Sequence, residues 1–170
     1  LQITKLATLL AIAYSFCYCL PMLTDQFVFL IHLFAALFMT GLIWTIQVVH
    51  YPSFHFVDKA EFITFESFHS MRISMIVIPV MVLELITAAA LVYYFGTTGK
   101  FVFVANLVLL LGVWAVTFFI SAPLHGELAS GYDQAKVSWL VNSNWFRTAL
   151  WSIRSLGLCA LVRPVFSILS

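Results

Sequence analysis

Apolar runs separated by short polar breaks organise this chain. Five runs stand out, at 6–23, 27–49, 73–95, 101–122 and 145–162. A helix crosses the hydrocarbon core of a bilayer with about 20 mostly apolar residues. The three middle runs meet that length: 27–49 has only His32 and Gln47 as strongly polar members, 73–95 carries one charge, Glu84, and 101–122 carries none. Run 145–162 is the weakest, because it holds both Arg147 and Arg154. Run 6–23 is short and uncharged, with Lys5 before it. No small-residue cleavage site follows it, so it is expected to be an extra N-terminal hydrophobic helix rather than a removed signal segment.

The breaks set the order of the elements. Positions 24–26 and 96–100 are short, and the second, with two glycines, reads as a tight hairpin loop. Two breaks are longer. In 51–72, five Phe residues sit among Asp58, Lys59, Glu61 and Glu66, so segment 58–70 is expected to form an amphipathic interfacial helix. The break at 123–144 has Gly126, Gly131 and Asn142 as turn formers. The pattern predicts an all-α protein, an integral membrane helical bundle. It has one domain over 1–170, with four core transmembrane helices and the extra N-terminal helix.

Composition agrees. Hydrophobic residues make up 63% of the chain and charged residues 9%, where a soluble domain carries about 25% charged residues. Membrane lipids are therefore the expected surroundings. A net charge of +1 offers no basic stripe for nucleic acid. Lys59, Arg72, Lys136 and Arg147 gather at the end holding the two longer breaks, against Lys100 and Arg163 at the other, which favours a cytoplasmic position for the first end. The three cysteines sit in apolar runs and give no disulfide framework.

Charges in a span cost about 2.5–3.5 kcal/mol each on insertion scales, so they must be shielded. Glu84 lies 12 residues past Arg72, and Arg154 lies 10 past Asn144. Similar depth on neighbouring helices predicts that the two pair inside the bundle, as a register-fixing ion pair or as a proton or anion site. Arg147, Trp151 and Arg154, spaced i, i+4, i+7, share one inward face. A guanidinium fork there suits an anionic lipid head group or an acidic substrate.

His50, His69 and His125 end or begin three different runs at the same end of the bundle. With Glu84 and Arg154 they are the candidate catalytic residues. Imidazole binds metals and titrates near neutral pH, and Glu66-Ser67-Phe68-His69 has the spacing of a carboxylate–histidine metal motif. His50, His69, His125 and Glu66 are thus a candidate metal set, for a single ion or, through two histidines, a haem. No cofactor motif decides between these and no cofactor at all. Trp44, Gln47, Trp114, Thr117, Asn144, Arg147 and Trp151 approach the same layer and make a candidate ligand pocket.

The stretch Ala122-Pro123-Leu124-His125-Gly126-Glu127, followed by Asn144-Trp145-Phe146-Arg147-Thr148, Trp151 and Arg154, resembles small four-helix bacterial membrane proteins of the anthrone-oxygenase-like group. Thr40-Gly41, Trp44 and His50-Tyr51-Pro52 are similar to the first core helix of that group. His125 stands where Asn is expected. The resemblance implies a four-helix core in a bacterial plasma or inner membrane, and for the oxygenase members cofactor-free chemistry on polyketide anthrones. Two readings follow for this chain. One is an accessory or structural subunit of a larger membrane complex, with other membrane subunits as partners. The other is a membrane-embedded enzyme or cofactor-binding or metal-binding protein with a histidine-rich polar site.

Overall fold

The computed structural model describes residues 25–167, without the side chains of 96–100 and 166–167, and run 6–23 lies outside them. The described residues form four long helices and, among them, no strand. Helix α1 is Asp25–Phe56 and α2 is Phe62–Tyr94. Helix α3 runs through Gly96–Val116, Thr117–Ser121 and Ala122–Leu128, and α4 is Gln134–Ser167. Helices α1 and α2 and the 101–128 stretch of α3 are long and apolar enough to cross a membrane. Helix α4 is as long but less apolar, because its inner face carries the two arginines. Large apolar side chains point outward, among them Phe34, Phe119 and Leu156, each more than two-thirds exposed. That surface suits a hydrocarbon solvent.

Short links make consecutive helices antiparallel, so the ends of α1 and α3 meet the beginnings of α2 and α4. Two apolar clusters hold the bundle. Met39, Ile43, Phe54, Phe62, Val113 and Leu140 pack at the histidine end. Phe29, Leu91, Phe103 and Leu158 pack at the other. Helices α3 and α4 approach closely at Gly112, where an added Cβ would meet Leu150 Cδ1 at 3.3 Å.

The element boundaries differ from the hydropathy reading in several places. Positions 96–100 are helical rather than a loop, and α2 reverses into α3 at Phe95, whose ring packs on Phe103 at 4.6 Å. Segment 58–70 is not a separate interfacial helix: from Phe62 it is the start of α2, which continues unbroken past Arg72. Its amphipathic pattern reflects a core face, with Phe62, Glu66 and His69 buried and Phe68 exposed. Helix α4 begins 11 residues before position 145. Asp133 caps it, its Oδ1 accepting from the backbone N–H groups of Ala135 and Lys136 at 2.9 and 3.1 Å. Gly131, at φ +155°, makes the turn into that cap. Lys136 also donates to Glu127 at 3.0 Å across the α3–α4 link, and this raises the lysine's pKa above its ordinary value.

Two local irregularities aim the site. Residues Ile46–His50 of α1 and Thr117–Ser121 of α3 form wide π turns. Tyr51 N–H reaches back to Ile46 O, and Ala122 N–H to Thr117 O, each across five residues. Both turns come just before a proline, Pro52 and Pro123. A proline has no N–H and its ring collides with the carbonyl four residues earlier, and a widened turn relieves this. One extra residue rotates the remainder of the helix by about 100°, which turns Tyr51 and His125 towards the bundle interior.

Candidate active site

At the histidine end, Tyr51 from α1, Glu66 and His69 from α2, and His125 from α3 meet in one layer. His125 Nδ1 lies 2.6 Å from Glu66 Oε1. The same oxygen accepts the Ser70 hydroxyl at 2.7 Å. A carboxylate only accepts, so Nδ1 donates. In the neutral ring Nε2 then accepts from the Tyr51 hydroxyl, 3.0 Å away. The result is a directional chain, Tyr51 O–H to His125 to Glu66. Beside it, His50 Nε2 and His69 Nδ1 share a hydrogen bond of 2.7 Å. The His69 and His125 ring centres are 5.4 Å apart. Glu66 Oε2 and His69 Nε2 are buried without a hydrogen-bond partner among the described residues.

Arg147 stands on the α4 side of this layer. It is 5% exposed, so it does not reach out to the surface with Lys59 and Arg72. An amide relay holds it: Gln47 donates to Val141 O at 3.1 Å, Asn144 donates to Gln47 at 2.9 Å, and Arg147 Nη1 donates to Asn144 Oδ1 at 3.2 Å. Its guanidinium lies 5.2 Å above the Trp151 ring. A cavity of about 460 Å³ opens between α2 and α3. Residues in 70–81 and 114–129 form its sides, and Ile46, Tyr51 and Arg147 form its back. That volume is usual for a small-molecule site. A second cavity of about 380 Å³ lies against His50 and His69 between α1 and α2.

A deeper polar layer lies beneath Trp151. Arg154 Nη1 meets Glu84 Oε1 at 2.9 Å, and the Trp151 indole N–H donates to Glu84 Oε2 at 3.1 Å. Arg154 Nε donates to Asn106 Oδ1 at 2.8 Å. This fixes the amide, so Asn106 Nδ2 donates to His32 Nε2 at 2.9 Å, and His32 Nδ1 bonds Thr87 Oγ1 at 2.8 Å. The expected Glu84–Arg154 pair thus exists, on the inward face shared with Arg147 and Trp151. It does not touch the histidine layer.

Most other candidates also come together. Trp114, Thr117, Arg147 and His125 line the larger cavity, while Gln47 and Asn144 brace Arg147 from behind. Trp44 does not join them. It is 44% exposed and bonds Ser152 outside the bundle, because the π turn after it rotates Gln47 inward and leaves the tryptophan out. The two tryptophans that the pattern treats alike therefore differ in weight. Trp151→Phe strands a carboxylate oxygen and is expected to cost about 1–3 kcal/mol. Trp44→Phe is expected to cost about 0.6 kcal/mol or less. Unfolding of both variants in detergent micelles measures the difference.

The metal set fares differently. Among the described residues, no three His, Cys, Asp or Glu side chains are arranged to hold an ion. The reason is geometric: His50 and His69 bond each other, and both His125 nitrogens are used by Glu66 and Tyr51. A haem between two of these imidazoles would need their nitrogens on opposite faces of a macrocycle, whereas those of His50 and His69 are in contact. Tyr51, the centre of the layer, has no sequence signal beyond its place before Pro52. Asn106 and His32, each the one side chain of its kind in its run, are readable as polar intruders but not as partners.

No protein-family model, curated protein or solved structure matches the chain. The anthrone-oxygenase-like resemblance rests on its motif residues alone.

Proposed function

We propose that the chain is an integral protein of a bacterial plasma or inner membrane, with its histidine end in the cytoplasmic leaflet. On this reading it moves a proton to or from a lipophilic small molecule held in the α2–α3 cavity. One observation carries the reading: the ordered Tyr51–His125–Glu66 chain ends at the back wall of that cavity. A substrate with an acidic C–H beside a carbonyl would give its proton to Tyr51 O as the tyrosine passes its own to His125 Nε2. The imidazolium so formed faces the Glu66 carboxylate, and the enolate oxygen faces Arg147. Each new charge has an opposite one beside it, which is how a water-poor site lowers such a barrier. Orientation of His125 by a carboxylate and of Tyr51 by His125 keeps this geometry ready before substrate binds.

The accessory-subunit reading draws support from the deeper layer, where Glu84 and Arg154 have each other and a near-complete set of partners. The histidine layer, with two buried polar atoms left over, favours a site.

The test uses 2-tetralone, a membrane-soluble ketone with acidic α-protons. Purified protein in phosphatidylcholine nanodiscs, in deuterated buffer, is expected to speed deuterium incorporation over empty nanodiscs, by about 100-fold or more. Exchange no faster than in empty nanodiscs removes the acid–base reading.

A further inference from the structure

We infer that the cavity takes an amphiphile whose head is an anionic oxygen group, carboxylate, phenolate or phosphate, seated at Arg147 with its apolar tail between α2 and α3. This deepens the reading above, on whose cavity it rests.

The argument starts from two arginines on one helix face. Arg154 is 2% exposed and has Glu84 at 2.9 Å. Arg147 is 5% exposed, yet among the described residues no carboxylate lies within ion-pair reach of it. Its contacts are neutral: the Asn144 amide, the Ser121 hydroxyl at 3.5 Å, the Tyr51 hydroxyl and the Trp151 ring. A guanidinium cannot shed its charge, and an uncompensated buried charge is strongly unfavourable.

The cavity wall supplies the rest. Arg147 Nε is a buried donor without a partner among the described residues, and so is Trp114 Nε1 on the same wall. Both are donors only. A guanidinium and an indole donor on one wall fit an oxygen-rich anion. The rest of the lining is mostly apolar, with Ile73, Val77, Ile78 and Phe118 set beside the hydroxyls of Ser74 and Thr117. Residues 70–81 span about 16 Å of helix, enough for a chain to run from Arg147 out between the two helices. An oxyanion head and an apolar tail match this wall at both ends.

The test tracks nitroxide-labelled stearic acid, its methyl ester and labelled phosphatidylglycerol by electron paramagnetic resonance. The protein sits in phosphatidylcholine nanodiscs at alkaline pH, where the free acid is ionised. The acid is expected to be immobilised at one saturable site, about tenfold or more tighter than the ester, and R147Q is expected to abolish that preference. Retention of the acid alone identifies a free small acid as the ligand. Retention of phosphatidylglycerol as well identifies a lipid head group, and both results support the inference. Equal retention of ester and acid, or an unchanged preference in R147Q, overturns it. Should R147Q not fold, S74F fills the cavity from α2 and keeps the arginine, and undiminished acid binding by S74F is equally decisive against it. A chain that binds the acid but exchanges no tetralone protons loses the acid–base reading alone. One that exchanges tetralone without preferring the acid loses this inference alone.

Discussion

Glu84→Leu is expected to lower stability by about 3–5 kcal/mol. The substitution leaves Arg154 buried with only Asn106 to accept from it, and the guanidinium keeps its charge at every accessible pH. Arg154→Met should cost less. A stranded carboxyl group can neutralise itself by binding a proton, and the Trp151 N–H still reaches Glu84. The double variant E84L/R154M should recover more than half of the E84L loss, because neither charge then remains. It will not recover all of it, since Trp151 Nε1 and Asn106 Oδ1 lose partners. Unfolding of the four chains in one detergent, analysed as a double-mutant cycle, measures the coupling. Equal losses in the two single variants would show that the asymmetry of charge is irrelevant here, and that Glu84 and Arg154 act only through packing.

Tyr51→Phe is expected to reduce tetralone exchange by about 10²–10⁴-fold with little change in fold. The ring that packs on Phe54 and His125 is kept, and only the hydroxyl leaves. His125→Gln should reduce exchange to the same floor, because Tyr51 then has no base to receive its proton. The two act as one unit, so the double variant should be no slower than either alone. Glu66→Gln tests the third member: it keeps an acceptor near Nδ1 but offers no negative charge to the imidazolium. Its exchange should fall as well, while ligand binding stays. Losses that simply multiply in the Y51F/H125Q double variant would mean that the two residues act independently, and the relay would have to be abandoned.

The charge-pair experiment could have been designed from the sequence, but the relay experiment could not. The depth count from Arg72 and Asn144 places Glu84 against Arg154, because helix rise is constant and charges in an apolar run have few places to go. The inward face of Arg147, Trp151 and Arg154 is legible for the same reason. The partners of that face are not. Asn106 and His32 come from two other helices, and Asn106 reaches Arg154, with His32 behind it, only once α1 and α3 take their rotations. The run boundaries put the histidines at one end, but spacing along a chain does not reveal which nitrogen faces which acceptor, so neither the bonds among them nor the lack of a three-ligand arrangement among the described residues is legible there. Trp44 is misplaced by any pattern that takes its helix as regular, because the wide turn at Ile46–His50 changes the register just after it.

By itself the sequence determined the solvent-facing character of this protein. With so few charges, its outer surface is largely apolar, its elements are helices, and the ionisable groups within its long apolar runs turn inward. Those conclusions need only composition and a period, which are local properties. The tertiary structure alone decided that Tyr51 and His125 meet at the cavity wall, that Arg154 has a carboxylate while Arg147 has none among the described residues, and that a cleft opens between α2 and α3. Each of these depends on the rotation of one helix against another. Two proline-linked turns and the packing of distant side chains set that rotation, and no short window of residues contains it.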